Sequence, residues 1–255
     1  MAKPLREWVE DDVRPVQNRP LRWLSERYFF RDPIRSVYTD RSYFFSPADG
    51  VILYQTCVKG GDPIVDIKGR PYSLQDAMRD AAYDSESLVI GIFMTLFDVH
   101  INRVPYPGRL SYAPLPPIET LNRPMLDVEK DLVEALRVDL SRAEFLHVNQ
   151  RVLNRVYAPD LGQSYHVLQI ADYDVNTITP FQLSQNWPVS QGQRFSQIRF
   201  GSQVDLVIPL TPGRDFALTQ AVGTHVEAGV DTLVRIGPSN DGGHASGAAV
   251  EWGQA

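Results

Sequence analysis

A single cysteine, Cys57, occurs in 255 residues, so no disulfide can close within the chain and a multi-cysteine zinc site is excluded. This fits a reducing, intracellular setting, and the strand-like surroundings of Cys57 predict a buried rather than a reactive thiol. Long apolar runs are missing as well. The longest, 88–97, is about half of the roughly 20 residues that a membrane-spanning helix needs, and the start Met1-Ala2-Lys3-Pro4 lacks the apolar stretch of a secretion signal. There is no basic surplus: 25 Lys and Arg stand against 31 Asp and Glu, a formal net charge of -6, which argues against a general nucleic-acid binder. Neither a Gly-x-x-x-x-Gly-Lys phosphate loop nor a Gly-x-Gly-x-x-Gly helix opening is found, so nucleotide cofactors have no support. His147, His166, His225 and His244 fall at no metal-ligand spacing; they are expected to be surface or structural residues, with no metal bound.

What is present suffices for one substantial core, with 43% hydrophobic and 22% charged residues. Charge is uneven. Between Arg14 and Arg35 six arginines (14, 19, 22, 27, 31 and 35) face two acids, Glu26 and Asp32, and are interleaved with Trp23, Leu24, Tyr28, Phe29 and Phe30. Two readings stand open for this stretch: an amphipathic helix packed on the core with solvated arginines, or an interfacial helix facing anionic headgroups.

After Asp32-Pro33 the pattern turns to strands. Tyr43-Phe44-Phe45 enters the turn Ser46-Pro47-Ala48-Asp49-Gly50 and Val51-Ile52-Leu53-Tyr54 leaves it. Ser73 is placed to cap a short helix through Ala82. The run 88–94 reads as a strand buried on both faces, and it delivers Asp98, His100 and Arg103 at its exit, where chemistry is often placed. Leu132, Val133, Leu136 and Leu140 recur at helical spacing, which predicts one surface helix over 125–146. Further strands are expected over 165–170, 195–200 and 204–209, with Gly201 marking a strained break and Asp205 facing solvent. The tail 237–255 is rich in Gly, Ser and Ala and is expected to be flexible. The fold class is therefore mostly β with peripheral helices, a β-rich α+β arrangement.

Three segments, 46–50 (SPADG), 97–108 (FDVHINRVPYPG) and 198–209 (IRFGSQVDLVIP), together resemble the phosphatidylserine decarboxylase family, in particular its shorter bacterial and archaeal members. Each alone is a weak signal, since Pro-Ala-Asp-Gly is also simply a good turn. Their occurrence together and in order is specific, and Lys68-Gly69, Asn149-Gln150-Arg151 and Gln169-Ile170-Ala171 add to it. The segment 222–234 is similar to the hammerhead of lipoyl-carrier β-sandwich domains.

The resemblance implies a self-processing enzyme. Gly201-Ser202 would be the cleavage site, giving chains 1–201 and 202–255, with Ser202 converted to a pyruvoyl group. Asp49 and His100 match the family's acid and base, so the implied catalytic set is Asp49, His100 and Ser202. The chemistry is coherent. A serine hydroxyl attacks poorly until an imidazole takes its proton, and a carboxylate is expected to hold that imidazole in the useful tautomer. The resulting ketone would accept a substrate amine and the electrons left by departing carbon dioxide, with no pyridoxal phosphate. The implied substrate is phosphatidylserine or a related serine-bearing lipid; the implied place is the cytoplasmic side of a membrane, held peripherally through residues 1–36, with 37–236 as the decarboxylase domain. No nucleic-acid partner is expected, and a homo-oligomer is left open. Departures from the family pattern are Arg103, where longer members carry a second histidine, the acidic Asp172-Tyr173-Asp174, and a long stretch between Gly108 and Asn149. They keep two alternatives in play: a non-catalytic lipid-binding member of the fold, and a decarboxylase redirected to another amine.

Overall fold

The computed structural model describes residues 1–36, 38–173, 177–199 and 201–238. A nine-stranded sheet runs through the molecule, in the spatial order Lys3–Pro4, Thr224–Val226, Gly50–Val58, Ser87–Met94, Ser202–Pro209, Gln163–Ala171, Arg151–Ala158, Gly108–Pro114 and Trp187–Val189. Every neighbouring pair is antiparallel. Its middle strands are covered on both sides. Val51, Leu53, Val89, Phe93 and Val207 point into one apolar cluster, while Ile52, Ile90, Ile92, Met94, Val204 and Leu206 point into the other. A strand with two buried faces loses the apolar and polar alternation of a half-exposed one, which is why residues 88–94 form a continuous apolar run and Ser87–Met94 is buried throughout.

Helices cover the first face. Leu5, Trp8, Val9 and Val13 from the N-terminal segment join Leu74, Val128, Leu132 and Phe145 in its cluster. The N-terminal segment is helical in short pieces, Leu5–Trp8, Arg14–Gln17 and Leu21–Trp23, the first and third continued by wider turns over Val9–Val13 and Leu24–Tyr28. Two small sheets cover the second face, Ile178–Pro180 with Arg194–Ile198 and Ile101–Arg103, and Arg214–Leu218 with Thr232–Pro238 and Tyr43–Phe45. No helix among the described residues is long and apolar enough to cross a membrane.

The β-rich α+β class expected from the sequence is the observed one, but several local expectations are corrected. The helix capped by Ser73 ends at Met78, because Arg79 adopts a left-handed conformation. The single helix over 125–146 is two, Leu126–Val133 and Phe145–Val148, with Leu136 at φ 54° between them, and Leu132 and Leu146 are buried rather than at the surface. Cys57 is exposed, near the end of the strand Gly50–Val58. Asp205 is buried: its carboxylate accepts from Tyr54 and Gln203 on the helix-covered face. Burial pushes that carboxyl up to about 6. The segments on either side of Gly201 belong to different sheets, Arg194–Ile198 to a small one and Ser202–Pro209 to the large one. Gly237 and Pro238 end a paired strand; the rest of the expected tail, 239–255, lies outside the described residues, as do Phe200, Asp174 and His244.

Candidate active site

Ser202 opens the strand Ser202–Pro209 at the centre of the large sheet, in register with Met94 on one side and Ala171 on the other. It is fully buried, and its hydroxyl is directed at Met94 Sδ, 3.2 Å away. A thioether is a weak acceptor, so the hydroxyl proton is only loosely held. Met94 is also approached by Asn102 Nδ2 at 3.7 Å. The strand carrying Asn102 begins directly after His100, and His100 O in turn accepts from Ile198 N at 3.1 Å. His100 thus sits beside the chain that leads into the Gly201-Ser202 bond.

His100 is completely buried beneath Phe29, whose ring stacks on the imidazole at 3.9 Å between centroids. Its Nδ1 lies 3.0 Å from Asp98 O, and its Nε2 has no partner among the described residues. With Nδ1–H donating to that carbonyl, Nε2 carries the free lone pair of a base. Burial drives the imidazole down to about 4, so it is neutral at ordinary pH. The orienting role expected of a carboxylate is here filled by a backbone carbonyl.

Asp49 is buried in the turn before Gly50, and both its oxygens are engaged. Arg35 grips them through two guanidinium nitrogens, and Ala228 N donates to Oδ1 at 2.8 Å. No hydrogen bond joins Asp49 to His100 or Ser202 among the described residues. The turn reaches its place because Gly50 has φ 150° and no side chain; a Cβ there would lie 2.1 Å from Phe93 O. Asp49 borders a polar cavity of about 190 Å³ shared with Arg31, Arg35, Asp98 and His225.

Sequence reasoning missed several members of this neighbourhood. Asp98 and His225, 127 positions apart, are paired at 2.6 Å, and Trp8 stacks on His225. Burial alone would raise Asp98, yet His225 and the two Thr95 donors hold it below the usual carboxylate range. Arg31 donates to the carbonyls of Phe97 and Asp98, so two of the six N-terminal arginines secure the site instead of facing solvent. No sequence signal links these pairs.

Gly201 is buried, with two acidic side chains beside it. A Cβ there would come within 3.0 Å of Asp172 Oδ2 and 3.9 Å of Glu129 Oε2. Glu129 is delivered by the long stretch between Gly108 and Asn149, and Asp172 by the acidic segment that follows the strand Gln163–Ala171. Asp172 Oδ1 accepts from Met125 N, docking the start of the helix Leu126–Val133, and Leu96 N donates to Glu129 Oε2 at 3.3 Å. Asn149, from the Asn149-Gln150-Arg151 match, donates to Ala171 O and Arg123 O, tying the same stretch to the strand end beside Ser202. Among the described residues no group of three or more His, Cys, Asp or Glu is placed to hold a metal ion.

The chain also matches known proteins. The sequence profile described as phosphatidylserine decarboxylase matches residues 27–233. A phosphatidylserine decarboxylase proenzyme of Erythrobacter litoralis is 35% identical over 214 residues, 82% of this chain and 72% of that protein. Those of Zymomonas mobilis and Desulfotalea psychrophila are 31% and 29% identical, again over 82% of this chain and over 71% and 78% of theirs. The matched span takes in Asp49, His100 and the Gly201-Ser202 bond, and the chain belongs to the phosphatidylserine decarboxylase family.

Proposed function

We propose that the chain cuts itself between Gly201 and Ser202, converts Ser202 to a pyruvoyl group, and then decarboxylates phosphatidylserine or a closely related serine-bearing lipid. The observation that carries this reading is a loosely held buried hydroxyl on Ser202 together with a buried, neutral imidazole whose Nε2 has no partner among the described residues, on the segment that pairs with the chain leading to the Gly201-Ser202 bond. His100 takes the Oγ proton of Ser202, and the oxygen attacks the Gly201 carbonyl to form an ester. A neutral base suits this step, because a protonated imidazole could accept nothing. Asp49 is the acid of the set, its charge committed to Arg35 while the chain is whole. A pyruvoyl ketone at residue 202 supplies the electron sink for the pair left by departing carbon dioxide. After the cut, His100 is the residue that returns a proton to the substrate carbon.

The fit to such a group rests on the residues themselves: serine follows glycine, and the Oγ faces the side of the sheet that carries Met94 and Asn102. For a lipid substrate we place the protein at a bilayer on the cytoplasmic side, bound through the N-terminal segment, where Leu21, Phe30 and Ile34 are exposed apolar residues among exposed arginines 14, 19, 22 and 27. Ser202→Ala tests the processing. Under denaturing electrophoresis it is expected to remain a single chain of full length where the wild type gives two; normal fragments from the alanine variant would refute the assignment.

A further inference from the structure

The helix Leu126–Val133 brings one ionisable group to the bond that is to be cut, on the side away from the serine hydroxyl. Along Ser202–Pro209 the side chains of Val204, Leu206 and Ile208 share a face, and Ser202, two residues before Val204, shares it with them. The position of a Cβ on Gly201 points instead to Asp172 and Glu129. Ser202 Oγ and the Glu129 carboxyl therefore flank the Gly201-Ser202 peptide from opposite faces of the sheet.

Resting on the self-processing reading, we propose that Glu129 is a further catalytic residue of the cleavage, the acid that neutralises the Gly201 carboxyl as it leaves. After the acyl shift, His100 has passed the Oγ proton to the nitrogen of residue 202 and is neutral again. It then takes the α-proton of residue 202. The Cα–H electrons form the Cα=Cβ bond, the Cβ–Oγ bond breaks onto the Gly201 carboxyl, and that group receives the proton of Glu129. The products are dehydroalanine at 202, a carboxylic acid at Gly201, a Glu129 carboxylate and a protonated His100, so atoms and charge balance. Water then hydrolyses the dehydroalanine to the ketone with loss of ammonia.

The surroundings keep Glu129 in the acid form needed for this step. Burial raises it, the Leu96 N–H lowers it, and the carboxylates of Asp98 and Asp172 add smaller upward pushes, leaving it at about 7. On its own helix Asp127 and Asp131 are paired with Arg142, and Lys130 is exposed. Arg199, two residues before Gly201, is exposed as well. A carboxylate forming at Gly201 beside Asp172 would be opposed by that charge, and a proton shared with Glu129 lessens the opposition.

The test follows the cutting of the full chain itself, made by cell-free synthesis and sampled on denaturing gels between pH 5.5 and 8.5. His100 stays neutral throughout that window, so the wild-type rate is expected to be level at the acid end and to fall as pH rises through about 7. In Glu129→Gln the amide donates a hydrogen bond at every pH but no proton. Cutting should then be slower by roughly 100-fold at pH 6 and independent of pH across the neutral range. Asp205 titrates near 6 on the helix-covered face, and any contribution from it would persist in the glutamine variant. Glu129→Asp, which still titrates, should recover the fall near neutrality at a reduced rate, and it decides the matter if the glutamine variant fails to melt cooperatively. A glutamine variant with wild-type rates, or a slow one that keeps the alkaline fall, overturns the role of Glu129 alone. A wild-type chain that stays whole at every pH overturns self-processing, and this role with it.

Discussion

Burial decides what His100 can do. The unfolded chain binds a proton at this imidazole near pH 6.5, whereas the folded chain does so only near 4. Its contribution to stability is therefore fully present above pH 6.5 and is lost as the pH falls from there towards 4, where the unfolded state takes up the proton that the native site refuses. Between pH 7 and 5 this amounts to about 2 kcal/mol. Urea unfolding of His100→Gln at the two pH values should show an acid-induced loss smaller by about that amount; an unchanged loss would mean that the ring is solvated. At this scale the candidate residues were legible: Asp49, His100 and Ser202 lie in short motifs whose residues carry their own chemistry. Their partners were not. The hold of Arg35 on Asp49, the 2.6 Å pairing of Asp98 with His225 and the approach of Glu129 to Gly201 are made by the fold, and nothing local in the chain encodes them. Asp205 was misread because alternation implies a solvent face, and the central strands of this sheet have none.

The same contrast holds for whole elements. Ser87–Met94, Gln163–Ala171 and Ser202–Pro209 were recognisable because strands buried on two faces are written as short apolar runs between turn residues. The helix Leu126–Val133 was found but overextended. Its apolar spacing continues past Val133, but the chain reverses at Leu136, and Leu140 packs against the core from the loop that follows. Helical periodicity cannot distinguish a continued helix from a loop that buries the same residues. Leu132 is this helix's fully buried anchor. Leu132→Ala is expected to cost 2–5 kcal/mol in urea unfolding, through lost burial and the cavity left behind. Because the helix carries Glu129, the variant should also cut more slowly at temperatures where it is still folded. A cost below about 1 kcal/mol would show that the helix is only loosely attached.

For the molecule as a whole, the N-terminal segment has a structural inner side, and membrane contact is proposed for its outer side. Its inner side is structural: Leu5, Trp8, Val9 and Val13 lie in the core, Phe29 covers His100, and Arg31 and Arg35 bind the site. Its outer side leaves Leu21, Phe30 and Ile34 exposed beside four arginines. If that side meets a bilayer, co-flotation with phosphatidylserine-containing vesicles should weaken at least several-fold in Leu21→Ser/Ile34→Ser and fall with added salt. Equal flotation of wild type and variant would remove the segment from membrane contact.

Intact mass of the purified protein under denaturing conditions, before and after borohydride, tests the central claim most directly. The account predicts two chains divided between Gly201 and residue 202, with borohydride adding two hydrogens to the chain that begins at residue 202 and none to the other. A single unreacted chain of 28.8 kDa, or a chain starting with an ordinary serine, would contradict it.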